Sequence, residues 1–207
     1  PWFEVDEQAT RRLETYLAPT LDGPDDFFAK REAIDEYGWR NFGDVWADHE
    51  AAFYDGPSPV ISHYNNQFDV VFGFLQHHLR TADPRWQRLL EPLARHVVDI
   101  DLYHTDRDRP CYNGGLFWHT DHYADAATAS HRTYSQSNRD RSSGGGPSCE
   151  HGYTTGLLHH FYLTGDEDSR AAVIGLAEWV IAMEDGSQTP FALVDDGPTG
   201  AATSTCM

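Results

Sequence analysis

The sequence has few cysteines and no long apolar run, and each of these features excludes a kind of structure. Its three cysteines (Cys111, Cys149 and Cys206) form no Cys-x-x-Cys pair, which argues against a structural zinc site. Cys111 and Cys149 flank a His-rich segment, and whether they form a disulfide depends on the redox state of the compartment. No run approaches the roughly 18 consecutive apolar residues that span a bilayer, so we expect no membrane contact.

Basic residues are also scarce. The chain has 15 Lys and Arg residues against 33 Asp and Glu residues, for a formal net charge of −18, and Lys30 is its single lysine. Binding to nucleic acid requires a basic face that attracts phosphates, so we expect no nucleic-acid partner. With 40% hydrophobic and 13% aromatic residues, the chain has enough apolar side chains to bury a core.

The most informative feature that is present is an internal repeat at an offset of 83 positions. GFLQHHLRTAD begins at Gly73, and GLLHHFYLTGD begins at Gly156. In the first copy Asp83 can cap a helix whose first residue is Pro84, so each copy predicts a helix, a tight turn and a second helix. The identical pairs include Gly73/Gly156, Leu75/Leu158, His77/His160, Thr81/Thr164, Asp83/Asp166, Ala94/Ala177 and Val97/Val180.

Apolar residues at helical spacing predict which faces of these helices are buried. Strand signals are weak, and residues 5–17 give a further candidate helix. We therefore predict an all-α fold, an incomplete (α/α) toroid-like array of helical hairpins with long loops that build a site at one end. The predicted stripes are Phe68, Val71, Phe72, Leu75 and Leu79, then Trp86, Leu89, Leu90, Leu93, Val97 and Ile100, and in the second copy Tyr153, Leu157 and Phe161, then Val173, Leu176, Val180 and Met183.

Four motifs carry a resemblance to a known family: EYGWRNFGDVWADHE, HYNNQFDVVFGFL, YNGGLFWHTDHYADAATASHRTYS and YLTGD. Over about residues 30–185 the chain resembles the toroid domain of the rhamnogalacturonan exolyase-like family. The resemblance implies a pectin-type acidic polysaccharide as substrate and β-elimination as the reaction. The chain is too short for a complete toroid, so we expect residues 1–207 to be a single toroid-like domain or a fragment of a longer chain with other domains.

The chemistry of β-elimination indicates which residues to consider. An enzyme must neutralise the uronate carboxylate, remove the neighbouring proton and protonate the leaving oxygen. If Trp118–Ala129 is helical, His119, His122 and Tyr123 project from one face, and we predict that they transfer protons. An alternative interpretation is a solvent-facing, His-rich helix without a catalytic role.

Other polar and aromatic residues near these segments are candidates for binding the sugar and its carboxylate. Asn and His side chains before an apolar helix suit a carboxylate at the helix N-terminus, although helix capping by Asn65 or Asn66 is the simpler alternative. Residues 136–149 are predicted to be a flexible loop. The predicted substrate-binding residues are Arg40, His63, Asn66, Trp118, Arg132, Tyr134 and His151.

Two other functions remain open. A glycoside hydrolase on the same fold would use a carboxylate pair formed by Asp44 or Asp48 with Glu150. A non-catalytic carbohydrate-binding or assembly module would need no such pair. We predict no cofactor and no metal site, with calcium as the one candidate ion, and we expect a secreted or extracytoplasmic protein.

Overall fold

A computed structural model of the chain describes residues 6–33, 35–38, 42–47, 62–63, 65–107, 112–117, 120–121, 147 and 151–184. Backbone contacts divide the chain into two compact units, residues 1–38 and residues 39–207. The described part is mostly helical, which confirms the predicted all-α class, whereas the toroid arrangement stays a prediction. None of the described helices is long and apolar enough to cross a bilayer.

The first unit contains two helices, α1 (Glu7–Leu21) and α2 (Phe27–Ala33). Asp6 begins α1, because its side chain accepts hydrogen bonds from the backbone N–H groups of Gln8 and Ala9, both at 2.9 Å. The helix predicted for residues 5–17 is therefore confirmed and continues for a further turn.

The second unit contains the two predicted hairpins. The first consists of α3 (Val70–Thr81) and α4 (Pro84–His96), and a π-helical turn (Val97–Asp101) continues α4. The second hairpin consists of α5 (Thr155–Thr164) and α6 (Glu167–Glu184). Helix, turn and helix thus recur at the predicted offset.

The same hydrogen bonds close both turns. The Thr81 hydroxyl donates to the His77 carbonyl and accepts from the N–H of Asp83. Thr164 does the same with His160 and Asp166. The Thr-x-Asp sequence therefore ends one helix and begins the next by satisfying backbone groups that a helix end leaves without partners.

Helices α3 and α5 are the inner pair of the four, because α3 packs against α4 and α5, and α5 packs against α3 and α6. Most predicted core positions of α4 are buried, but two members of the α3 stripe are wrong, because Phe68 and Leu79 are exposed. In the second copy the prediction is wrong at Tyr153, which precedes α5 and is exposed as well. Phe68 precedes the helix, which starts only after Asp69 caps it. The most buried apolar side chains of the unit are Val71, Leu75, Leu89, Leu90, Leu93, Val97, Leu116, Phe117, Leu157 and Leu176.

Three two-residue strands form a small antiparallel sheet in the order β1 (Trp46–Ala47), β2 (Ser62–His63) and β3 (Thr120–Asp121). His63 pairs with Trp46 on one side and with Thr120 on the other. A helix over Trp118–Ala129 is therefore wrong at Thr120 and Asp121, because pairing with β2 holds these residues extended. The predicted loop at 136–149 lies outside the described residues except for Pro147.

Candidate functional site

The segment that leads into α3 has an unusual backbone. Asn65, Asn66, Phe68 and Asp69 all have φ between 41° and 62°. Asn and Asp tolerate this left-handed region, but a bulky aromatic residue rarely adopts it. Such backbone strain is found mainly where surrounding structure holds a residue in place for function.

Polar side chains of this segment stabilise its backbone. The Asn66 side-chain oxygen accepts a hydrogen bond from the N–H of Val71 at 3.0 Å, so Asn66 does cap α3. Asp69 accepts from the N–H of Phe72 at 3.3 Å and from the N–H of Gly156 at 3.0 Å. Burial raises the pKa of Asp69, although these N–H groups act in the opposite direction. Asp69 therefore joins the start of α3 to the start of α5.

The segment that leads into α5 brings aromatic side chains to the same place. The ring of Phe68, which is 66% exposed, meets the ring of His151 edge-on at 6.2 Å between centroids. His151 in turn lies 6.1 Å from the ring of Tyr153, which is 36% exposed. We call Phe68, His151 and Tyr153 the aromatic patch.

The small sheet places other predicted site segments side by side. β3 lies between the predicted proton-transfer residues His119 and His122 in sequence, and it pairs with the strand that contains His63. His63 itself is 1% exposed. The segments near positions 46, 63 and 120 are thus adjacent at the level of the backbone.

Most other predicted site residues lie outside the described residues: His119, His122, Tyr123, Arg40, Trp118, Arg132, Tyr134, Asp48 and Glu150. Of those described, His63 and Asn66 are buried, whereas His151 belongs to the aromatic patch. Asp44 is buried as well, and its carboxylate faces a histidine rather than solvent.

A cluster that the sequence analysis did not identify surrounds that histidine. The Nε2 atom of His96 lies 3.3 Å from Asp44 Oδ2 and 3.2 Å from Asp101 Oδ1, with all three side chains at most 1% exposed. On its other side, His96 Nδ1 lies 3.1 Å from the carbonyl oxygen of Phe42 and donates to it. Burial lowers the pKa of His96, but the two carboxylates outweigh it and hold the pKa well above 6.5.

Local structure explains how Asp44 and Asp101 both reach His96. The π-helical turn brings Asp101 back beside His96 at the end of α4. Gly43 has φ of +101°, and a Cβ atom there would collide with the Pro92 backbone, so only glycine allows this loop to deliver Asp44 against α4. The three atoms that face one another lie within 4.8 Å, and such a group can hold a metal ion.

One signal in the sequence pointed to this cluster. His96 occupies the repeat position that Trp179 occupies in the second copy, and both are buried. A histidine at a position where the other copy buries an aromatic ring requires a polar partner inside the protein. The partners Asp44 and Asp101 could not be identified in this way, because the first is 52 positions away in sequence.

A second buried histidine has a different environment. His160 Nδ1 lies 2.9 Å from the Ser169 hydroxyl, and its Nε2 lies 3.2 Å from Glu91. This looks like a nucleophile with its base, but Ser169 is fully buried and its hydroxyl donates to Asp166 at 2.6 Å. The group therefore stabilises the start of α6 and is not placed to attack a substrate.

A cleft with a volume of about 380 Å³ lies between the π-helical turn and α6. It is lined mainly by apolar groups, with Asp99, His104 and Asp168 at its polar edge. Arg95 binds Asp99 at 2.8 Å and Asp168 at 2.9 Å on the surface of the same two elements. Because Asp99 and Asp168 both pair with Arg95, we assign no binding or catalytic role to the cleft.

Comparison with known proteins adds no relative: no protein-family model, curated protein or solved structure matches this chain.

Proposed function

We propose that this chain binds an acidic, pectin-type polysaccharide at the aromatic patch and cleaves it by β-elimination. The observation that carries the proposal is Phe68, an exposed aromatic ring on a strained, left-handed backbone. The hydrogen bonds that the Asn66 and Asp69 side chains accept from the backbone of α3 keep that segment in place. Rigid aromatic rings suit sugars because the C–H groups on one face of a pyranose pack against the ring.

The polar surroundings of the patch suit a uronate. The N-termini of α3 and α5 meet here, but the carboxylate of Asp69 accepts their N–H groups, so other groups must neutralise the uronate. His151 adds a group that is positive when protonated. Arg40 and Arg132 are the further carboxylate-binding residues in this proposal.

The proton-transfer step is assigned to His119, His122 and Tyr123. Its support is the pairing of β3 with β2, which holds the backbone between His119 and His122 beside His63. In this mechanism a histidine removes the proton next to the uronate carboxylate, and Tyr123 protonates the leaving oxygen.

The test is incubation with a panel of pectic and other uronic polymers. Elimination produces an unsaturated uronate, which is followed by its ultraviolet absorbance, together with reducing ends. We expect His119→Ala and Tyr123→Phe to lose turnover but to keep polymer binding. Unchanged rates in both variants would place the chemistry elsewhere.

Binding at the patch is tested separately with Phe68→Ala. Loss of the ring should weaken polymer binding by about tenfold. Tyr162→Ala is the matched control, because Tyr162 is also exposed, at 69%, but lies outside the patch on α5. Equal effects of the two substitutions would contradict a specific role for Phe68.

The two alternatives predict different outcomes. A hydrolase would release reducing ends without an unsaturated product, but the buried carboxylate of Asp44 beside His96 argues against its use as an acid or base. A non-catalytic module would bind polymer through the patch with no turnover at all.

A further inference from the structure

The Asp44–His96–Asp101 cluster lies outside the polysaccharide proposal and has the arrangement of ligands around a cation. His96 Nδ1 donates to the Phe42 carbonyl, so in the neutral imidazole the Nε2 lone pair points towards the carboxylates of Asp44 and Asp101. A lone pair facing two carboxylate oxygens is repulsive unless something positive lies between them. The candidates are a proton and a metal ion.

The distances match those between two ligands of one metal ion, and a proton shared by both carboxylates would give similar ones. A proton on Nε2 would form a charge-assisted hydrogen bond to one carboxylate, and such bonds are about 2.7–2.9 Å long. The observed separations are longer and nearly equal, 3.3 Å to Asp44 and 3.2 Å to Asp101. Two ligands bonded at about 2.0–2.1 Å to a tetrahedral or octahedral ion are about 2.8–3.4 Å apart.

The environment of His96 also matches that of a metal-binding histidine. A metal-binding histidine usually donates its other N–H to a carbonyl or a carboxylate, which fixes the ring and its tautomer, and Phe42 serves this purpose here. π-helical turns often occur at functional sites, and the turn at Val97–Asp101 is what places Asp101.

We propose that Asp44, His96 and Asp101 bind one divalent transition-metal ion, such as Zn²⁺, Mn²⁺ or Co²⁺. One imidazole and two carboxylates suit these ions better than Ca²⁺, which prefers six to eight oxygen ligands. Because Asp44 lies two positions before β1, the ion would tie the small sheet to the end of α4.

The experiment uses the full chain, stripped of metal with a chelator and titrated with Zn²⁺, Mn²⁺, Co²⁺ or Ca²⁺ in a calorimeter. We expect one transition-metal ion per chain, a melting temperature raised by about 5 °C at saturation, and no comparable effect of Ca²⁺. Absence of stoichiometric binding, or equal binding of Ca²⁺, would overturn the proposal.

Matched variants locate the ion. Asp101→Asn keeps the shape of the side chain but removes a charged ligand, so affinity should fall by about 10- to 100-fold. Asp99→Asn is the control, because Asp99 lies on the same turn but is about half exposed and pairs with Arg95. Equal loss in both variants would contradict the site, and circular dichroism shows whether each variant is folded.

X-ray absorption of the wild-type chain with Zn²⁺ gives a result that does not depend on folding of a variant. The proposed ligands are one nitrogen and two oxygen atoms from the protein, so the first shell should contain light atoms only. A sulfur neighbour at about 2.3 Å would instead place the metal on Cys111, Cys149 or Cys206 and would overturn the assignment.

Discussion

The two helical hairpins, α3–α4 and α5–α6, share their turns but differ in what they bury. Leu93 and Leu176 stand at equivalent repeat positions, and both side chains are fully buried. His77 and His160 are also equivalent, yet His77 stacks on Trp86 at 4.9 Å between centroids whereas His160 bonds to Ser169. Trp86 and Ser169 are also equivalent positions. The same contact between the two helices of a hairpin is therefore aromatic in the first copy and polar in the second.

A second difference lies one helical turn beyond the shared leucine. The first hairpin buries His96 between two carboxylates, and the second buries Trp179 at that position. The repeat therefore maintains backbone geometry through its turns, while chemistry arises where one copy departs from the other. A functional residue in such a fold is best sought at a buried position whose polarity differs between copies.

The shared core position gives the largest expected effect. Leu93→Ala and Leu176→Ala should each lower the free energy of unfolding by about 2–5 kcal/mol, because each leaves a cavity in a fully buried position. Urea titration measures both. Ile174→Ala is the control, since Ile174 is 46% exposed and should cost less than about 1 kcal/mol. A large effect in one hairpin only would show that the two leucines are not equivalent.

The two repeat glycines should behave in opposite ways. A Cβ atom at Gly156 would collide with Asp69 and the Phe72 backbone and would lie 2.8 Å from Val71 Cβ, whereas one at Gly73 meets nothing within 4 Å. Gly156→Ala should therefore destabilise the protein by about 1–3 kcal/mol through overpacking. Gly73→Ala, inside α3, should stabilise it by about 0.5–1 kcal/mol.

Thermal or urea unfolding of the two glycine variants checks this contrast directly. Destabilisation of equal size in both would mean that α3 and α5 do not approach closely at Asp69. Weaker polymer binding by folded Gly156→Ala alone would further connect this junction to the aromatic patch.

The repeat explains why so much of the fold could be predicted from the sequence. The turns follow from Thr81, Asp83, Thr164 and Asp166 alone, because their hydrogen bonds are local. The start of α3 could not be placed in this way. The apolar stripe continues back to Phe68, but capping by Asp69 begins the helix later, and periodicity contains no information about that cap.

Predicting the candidate site was harder because its contacts are distant in sequence. The sequence predicts His151 as a substrate-binding residue, but it predicts its neighbour Phe68 as a core residue. Asp44 was identified as a carboxylate of interest, but its partner His96 depends on a glycine turn and a π-helical turn. Neither turn can be derived from hydrophobic spacing.

The two turn aspartates give a smaller expected effect. Asp83 and Asp166 each accept a backbone N–H at the start of the following helix, at 2.9 Å from Arg85 and 3.1 Å from Ser169. Replacement by Ala should cost about 1 kcal/mol in each hairpin. The cost should be larger at Asp166, because the buried Ser169 hydroxyl also loses its acceptor.

Urea titration of both alanine variants, with Asp83→Asn and Asp166→Asn as controls that retain a capping oxygen, measures this difference. A larger loss at Asp83 would reverse the comparison. It would show that the ion pair of Asp83 with Arg85, at 2.6 Å, matters more than the buried network of the second hairpin.

The smallest expected effect is the pH dependence of stability that His77 contributes in the first hairpin. Burial lowers the pKa of His77 below 6.5, and Arg80 acts in the same direction. Arg80 also donates to His77 Nδ1 at 3.2 Å, a bond that protonation of that nitrogen would remove. As the pH falls below 6.5, His77 is protonated in the unfolded chain before it is protonated in the folded chain. The stability that the neutral His77 ring contributes is therefore present above pH 6.5 and is lost as the pH falls through the lower folded pKa.

His77→Gln removes this titration, so the variant should lose less stability than the wild type as the pH falls below 6.5. Urea titrations of both proteins across this range give the difference, in which the other titrating groups cancel. Gln76→Ala, on the exposed side of the same helix, is the control and should shift the curve without changing its slope. Parallel curves for His77→Gln and wild type would show that the ring stacked on Trp86 titrates equally in the folded and unfolded chains.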